Sequence, residues 1–376
     1  MGVPKPNRRE GVKIMPVYSP IRRWMDSAEK ARTAERLLAL RRKLASEITD
    51  RVGKDSLLIA TWNLRDFDSN RLGHGPRLRE SFYYIAEVVS AFDLVVLQEV
   101  SRNLDGLEAL MAILGPAWDY FATAAVDVGG GSEERVAFLF RGDKINFRKI
   151  AGEIVLPGGQ ITAPVVGDPE ARPGGLLQFV RAPFMAAFEA GTVRLNFCVL
   201  HLHQSRGDKA GLQRYAAELE SLARYFREKQ DREREDYVLI GDFGVAAPSD
   251  LMARLLERQG FDIPEALTKK RAHLDPEKYY DQIAFRVRKD QLEPGNAGTF
   301  RHFDAVFRDN DEDFAAYSEL MPEERANDLW NGGPRGYYAQ QWRTWQISDH
   351  QLLWVELKLD FSDHYLDLIR KGTGAA

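Results

Sequence analysis

A single α/β domain with layered sheets is the predicted fold class, on three observations. Short apolar runs recur from Leu57 onward with the length and composition of strands: LLIATWNL, DLVVLQEV, RVAFLF, VRLNFCVLHL, DYVLIGDF, YYDQIAFRV and HQLLWVELKL. Between them lie stretches whose apolar residues fall three to four apart, namely Leu78, Phe82, Ile85 and Val89, then Leu212, Tyr215, Leu219, Leu222 and Phe226. The chain has 376 residues, 44% of them apolar, which is enough to bury a substantial core. Strands interleaved with helices over roughly three hundred residues fit one layered α/β domain.

The elements follow in order. Residues 1–24 hold four prolines and few apolar repeats, so they are expected as an extended arm. The stretch DSAEKARTAERLLALRRKLASEITD reads as one amphipathic helix with Ala31, Leu37, Leu38, Leu40 and Leu44 as packing positions. Residues 1–54 thus form a basic arm and helix, 55–360 the main domain and 361–376 a tail. The Gly/Pro-rich segment 157–175 is expected as a long loop, and 304–344, rich in charge, Trp and Tyr, as a helical insertion. Neither an internal repeat nor a low-complexity tract is present.

Charge and cysteine content narrow the chemistry. The net charge of −4 hides an asymmetry: residues 1–50 carry 12 Lys/Arg against 6 Asp/Glu, leaving the remainder at −10. Such a basic segment can be a solvated helix face, or it can track a phosphate backbone or an anionic membrane. The lone Cys198, inside an apolar run, excludes an internal disulfide and any multi-cysteine zinc site, and reads as a buried hydrophobe. The first residues contain no apolar segment long enough for a secretory signal or membrane span, and Pro6 occupies the Ser/Thr position of a myristoylation signal. The expectation is a cytoplasmic protein without a membrane span.

Polar residues punctuate the strands. Asn63 follows LLIATW, Glu99 follows DLVVLQ, His201 follows NFCVL and Asp242 follows VLIG, while Asp281 opens QIAFRV and Asp349-His350 open QLLWVEL. Each alone could cap a turn. Six at strand mouths point to one cleft, because a rigid scaffold positions the groups at strand ends. The triplet Asp242-Phe243-Gly244 is also found in protein kinases. Here no Gly-rich phosphate loop, strand-lysine motif or His-Arg-Asp loop accompanies it.

The ordered set resembles the endonuclease/exonuclease/phosphatase superfamily, and within it deoxyribonuclease I-like proteins. The resemblance runs over about residues 56–360: TWNL with Asn63, LQEV with Glu99, ERVAFLFR with Glu134, FVRAPFMAAF, VLHLH with His201, GDF with Asp242, YDQIAF with Asp281 and ISDH with Asp349 and His350. It implies a four-layer α/β/β/α sandwich of two mixed, largely antiparallel sheets, here with an N-terminal helical extension. It also implies a metal-dependent phosphodiester hydrolase, an endonuclease-like nuclease first and a phosphodiesterase or phosphatase on a small or lipid phosphate second.

Phosphodiester attack concentrates negative charge on phosphoryl oxygens, which a divalent ion can neutralise while lowering the pKa of water. Oxygen ligands from Glu99, Asn63 and Asp349 suit Mg2+ or Mn2+. By resemblance, His350 moves the proton with Asp281 as its orienting carboxylate. Asp242 aims the water, and His201 paired with Glu134 contacts the phosphate or assists the leaving oxygen. HLH leaves His203 as a competitor of His201, since both lie on one strand face. Arg65, Arg102, Arg206, Lys209, His203 and Gln204 are candidate substrate contacts, nucleic acid among the substrates considered; His74, His273, His302 and His364 are expected at the surface or in loops. One departure stands out. Gly244 replaces the asparagine of the family's Gly-Asp-Phe-Asn, removing an amide that would face the phosphate. A catalytically impaired binding protein is therefore a third reading.

Overall fold

The computed structural model describes residues 15–50, 52–53, 56–129, 132–157, 178–179, 181–191, 193–201, 209–243, 249–268, 272–273, 281–288, 292–327, 332–359 and 370. His203, Gln204, Arg206, Gly244, His364 and nearly all of the 157–175 loop lie outside them. Twelve strands occur among the described residues: β1 (Ser56–Phe67), β2 (Leu94–Ser101), β3 (Trp118–Ala122), β4 (Val126–Gly129), β5 (Ser132–Arg141), β6 (Asn146–Glu153), β7 (Phe184–Ala190), β8 (Val193–His201), β9 (Asp236–Asp242), β10 (Asp281–Arg286), β11 (Glu293–Phe300) and β12 (Leu352–Lys358). One sheet has the order β11-β12-β1-β2-β5-β3, with β4 also on β5; the other has the order β10-β9-β8-β7-β6. Each is antiparallel except at one central pair, β1 with β2 and β8 with β9.

Alternation within β1 explains the layering. Leu57 and Ile59 point between the sheets, where they join Phe138, Phe188, Phe197, Ile240 and Val355. Leu58, Ala60, Trp62 and Leu64 point the other way, onto helices. A strand buried on both faces reads as a continuous apolar run, which is how LLIATWNL stands in the sequence. The outer helices over the first sheet include α1 (Ile21–Trp24), α2 (Ser27–Leu44), α3 (Arg79–Val89) and α4 (Asp105–Leu114); α5 (Lys209–Glu233) and α6 (Ser249–Arg258) cover the second. The result is the four-layer sandwich.

The N-terminal helix corrects two expectations. It starts on a reciprocal capping box between Asp26 and Glu29 and continues past Leu44 into a π-turn over Ala45–Thr49. Its buried stripe is Thr33, Arg36, Leu37, Leu40, Leu44 and Ile48. Leu38, 56% exposed, and Ala31 fall outside it, because one residue beyond Leu37 turns the side chain away from the seam. Nor is its basic character a free face: Arg32 pairs with Glu80, Arg36 with Asp313 and Glu312, Arg41 with Glu87, and Lys43 with Asp304. The 304–344 insertion is helical in short pieces, Asp311–Tyr317, Glu323–Ala326 and Gly333–Tyr337, and buries Tyr317, Tyr337, Tyr338 and Trp342 against the same helix layer.

Glu356 of β12 ties three segments together. Its carboxylate accepts from Gly53 N (2.8 Å), Asn296 N (3.1 Å), Asn296 Nδ2 (2.7 Å) and the Ser56 hydroxyl. Burial opposes the charge, but these donors outweigh it and hold the carboxyl below its ordinary value. A depressed folded value stabilises above the unfolded value and is lost as pH falls through the folded one. Glu356→Gln is expected to cost about 1.5–3 kcal/mol in urea unfolding at neutral pH, with the deficit shrinking as the pH drops below roughly 4.

Candidate active site

Strand direction alone brings the polar residues to one edge. Asn63, Glu99, His201 and Asp242 stand at or near the C-terminal ends of β1, β2, β8 and β9, the two parallel pairs. Their antiparallel neighbours β5, β10 and β12 begin at that edge and bring Glu134, Asp281 and His350. In register, Asp242 lies opposite both Asp281 and His201, and Ser101 lies opposite Glu134.

Asn63 joins the two sheets. Its buried Nδ2 donates to Glu99 Oε1 (2.7 Å) on its own sheet and to Asp242 Oδ2 (3.3 Å) on the other. The amide oxygen accepts from Arg65 N (2.9 Å). Both strands break register here, β1 between Asn63 and Phe67 and β2 between Leu97 and Val100. Glu99 has φ 56°, and Arg65 and Asp66 also have positive φ. A bulge re-aims side chains, and a non-glycine residue held left-handed costs of order 1–3 kcal/mol. The surroundings fix it: Glu99 Oε2 accepts from Asp66 N (2.9 Å). Burial, then the charges of Glu134 and Asp349, push the Glu99 carboxyl up to about 6, against the Asn63 hydrogen bond and His350.

The opposite flank holds an imidazole pair. His350 Nδ1 donates to Asp281 Oδ2 at 2.6 Å, with both side chains buried. Ser348 Oγ donates to the Asn63 carbonyl (2.5 Å) and accepts from His350 N (2.8 Å), while Trp62 Nε1 donates to the His350 carbonyl (3.0 Å). Burial opposes charge on His350, but Asp281, then Asp349 and Asp242, hold it up to about 10. The Asp349 carboxylate lies 3.6 Å from His273 Nε2 and 3.9 Å from Arg65 Nε. Burial would raise its pKa, yet His273, His350 and Arg65 keep it below the usual carboxylate range.

On the other side His201 Nδ1 stands 3.7 Å from Glu134 Oε2, which Arg181 approaches at 4.0 Å. A cavity of about 300 Å³ opens beside them, walled by Phe179, Phe184, Val136 and Val199. One ligand atom each from Glu99, Glu134 and His201 lies within 4.8 Å of the others. Three convergent donors, one of them a carboxyl pushed up by burial and by negative neighbours, fit a divalent cation.

The sequence model of the Endonuclease/Exonuclease/phosphatase family matches residues 60–364. The chain belongs to this family. Members are phosphoester hydrolases that generally use divalent metal ions, and membership makes the chain a phosphoester hydrolase of that kind. Solved structures similar to it include the human Nocturnin catalytic domain with bound sulfate (14% identity, TM-score 0.49, covering 82% of this chain and 96% of that one). Others are D. rerio TDP2 complexed with a single-strand DNA product (14%, 0.46, 81% and 99%) and the Bacteroides thetaiotaomicron mannosyl-6-phosphatase (17%, 0.48, 80% and 99%). No curated protein matches the sequence significantly.

The candidates Asn63, Glu99, Glu134, His201, Asp242, Asp281, Asp349 and His350 gather at one edge. The remaining candidates differ. Arg102 is paired with Glu133 at 2.8 Å and is 73% exposed; Lys209 begins α5. Arg65 is anchored by the insertion: its guanidinium donates to Gln341 O (3.1 Å), Gln341 Oε1 (2.9 Å) and the Thr344 hydroxyl. Three of the four histidines expected at the surface or in loops are buried. His74 bonds the Tyr337 hydroxyl (2.8 Å) beneath the aromatic insertion, His302 packs on Trp62, and His273 sits beside Asp349 and His350. No apolar run flags His273, which reaches the site through an isolated bridge to His350. Arg181 was also missed, although FVRAPFMAAF places it at a strand mouth like the others. Among the described residues no helix is long and apolar enough to cross a membrane.

Arg65→Met should release the 338–346 segment from the site. The expected cost is about 1–3 kcal/mol for the lost hydrogen bonds, with faster amide exchange across residues 338–346 than in the sheets.

Proposed function

We propose that the protein is a phosphodiester hydrolase in which Glu99, Asn63 and Asp349 would hold Mg2+ or Mn2+. The observation that carries this reading is the 2.6 Å bond from buried His350 to Asp281 at the same edge as Glu99. A bound divalent ion would neutralise charge on the phosphoryl oxygens and lower the pKa of the attacking water. Asp281 fixes the orientation of the His350 ring and stabilises its cation, so His350 can give a proton and take it back. Asp242, oriented by Asn63, aims the water. His201, steadied by Glu134, contacts the phosphate or the leaving oxygen, and Glu134 and His201 add ligand atoms near Glu99.

The basic N-terminal helix supports a nucleic-acid substrate only beside the deoxyribonuclease I-like pattern, and four of its cations have acidic partners within the chain. Recognition is therefore assigned to the cleft, with the group on one side of the phosphorus entering the cavity beside His201. A nuclease is the second reading, favoured by Arg102 just beyond β2, which is paired with Glu133 but remains 73% exposed. Either substrate reaches the same machinery.

With Mg2+ and bis-p-nitrophenyl phosphate, His350→Ala and Asp281→Asn are expected to lower turnover by ~100- to 10,000-fold while the melting transition persists. Chelation should abolish turnover in the parent protein. Wild-type rates in His350→Ala would remove the imidazole from the reaction, and a parallel plasmid-nicking assay decides between small diester and nucleic acid. Gly244→Asn restores the missing donor and is expected to raise turnover by up to ~100-fold; no gain would mean that another group already serves.

A further inference from the structure

We propose that His273, Asp349 and His350 form a second cation site, one that takes a zinc-class transition-metal ion in preference to magnesium. One ligand atom of each lies within 4.8 Å of the other two. His273 Nε2 and Asp349 Oδ2 are already 3.6 Å apart, near the roughly 3.3 Å between donors that zinc bonds of ~2.0–2.1 Å impose in a tetrahedral site. The rings of His273 and His350 meet edge to face with centroids 4.7 Å apart. Two imidazoles and one carboxylate leave a fourth position open, and nitrogen donors favour zinc, cobalt or nickel over magnesium, which prefers oxygen.

The supporting groups are in place. Asp281 accepts from His350 Nδ1, so a cation would bind at Nε2 by displacing the proton there, and the pair reproduces the carboxylate–histidine arrangement that orients metal-binding imidazoles. The backbone fixes the pairing: His273 bridges His350, and Gln351 N donates to the Ala272 carbonyl at 2.5 Å. Both imidazoles are buried, while the Asp349 side chain is 31% exposed and gives an ion access. Hydrolysis as proposed above assigns no step to His273, but it uses Asp349 and His350, so the two ions compete for these shared residues.

An ion here would occupy the nitrogen that proton transfer needs, so zinc should inhibit Mg2+-supported hydrolysis. This consequence rests on the proposed role of His350; the binding does not. The test titrates Co2+, followed by its visible absorption, and Zn2+, followed by calorimetry, into the full-length chain in the Glu99→Gln/Glu134→Gln background, which weakens the Glu99 cluster. One equivalent is expected to bind with nitrogen-ligand bands, and His273→Gln in that background, which removes a direct ligand, is expected to weaken binding by at least the roughly 10- to 100-fold that loss of an outer-shell partner costs. Asp349→Asn should do the same, which guards against a folding effect of one substitution. Equal binding with and without His273 overturns the site, as does loss of binding in the Glu99→Gln/Glu134→Gln protein that retains His273. If the ion binds as expected but no diester is ever hydrolysed, the functional reading fails and the site stands. Hydrolysis without His273-dependent binding has the opposite meaning.

Discussion

One side-chain amide holds the two sheets' chemistry in register. Asn63 Nδ2 donates to Glu99 on the first sheet and Asp242 on the second, and the Asn63 carbonyl takes the Ser348 hydroxyl that supports His350. Sheets stacked about 10 Å apart can slide relative to one another as their side chains repack. A hydrogen bond shared across the gap at the cleft edge resists that sliding where a small displacement matters most. The left-handed backbone of Glu99 belongs to the same constraint, since the simultaneous register breaks in β1 and β2 turn its carboxylate toward Asn63.

Much of this was legible in the sequence because strand ends carry signals of two kinds. Doubly buried strands announce themselves as apolar runs, and the polar residue that ends each run is visible by contrast. What escaped has no local signature. His273 lies on an isolated bridge without an apolar run around it, His74 is covered by Tyr337 and Trp345, and His302 packs against Trp62 and its neighbour Phe303. The four-layer arrangement came from the ordered motifs of the family rather than from periodicity, which cannot say which sheet a strand joins. Leu38 was misplaced because leucines crowd both sides of one helix, and only the tertiary seam selects among them.

Charge gave the most instructive mismatch. A segment with a net charge of +6 invites a reading in terms of anionic partners. Yet Arg36 reaches Asp313 across 277 positions, and Arg32 reaches Glu80 across 48. Composition cannot anticipate pairs formed at such separations. These buried or half-buried bonds fasten α2 to the helix layer and the insertion, so the basic helix acts as structural mortar. Among the described residues the cleft gathers Glu99, Glu134, Asp242, Asp281 and Asp349 against His201, His273 and His350 and the guanidinium groups of Arg65, Arg77 and Arg181. Such a centre favours cations over anions until an ion reverses the balance.

The pairing of β1 with β12 has a consequence for biosynthesis. Ser348 meets Asn63 across 285 positions, and His350 arrives on the segment leading into β12. A nascent chain on the ribosome has already emerged with Asn63, Glu99 and Asp242 while the residues that complete the centre are still unmade. Contacts of such long sequence separation close slowly. The growing polypeptide therefore carries an incomplete cluster from the making of Asp242 to that of His350, 108 positions later, and the centre is complete only when β12 docks beside β1.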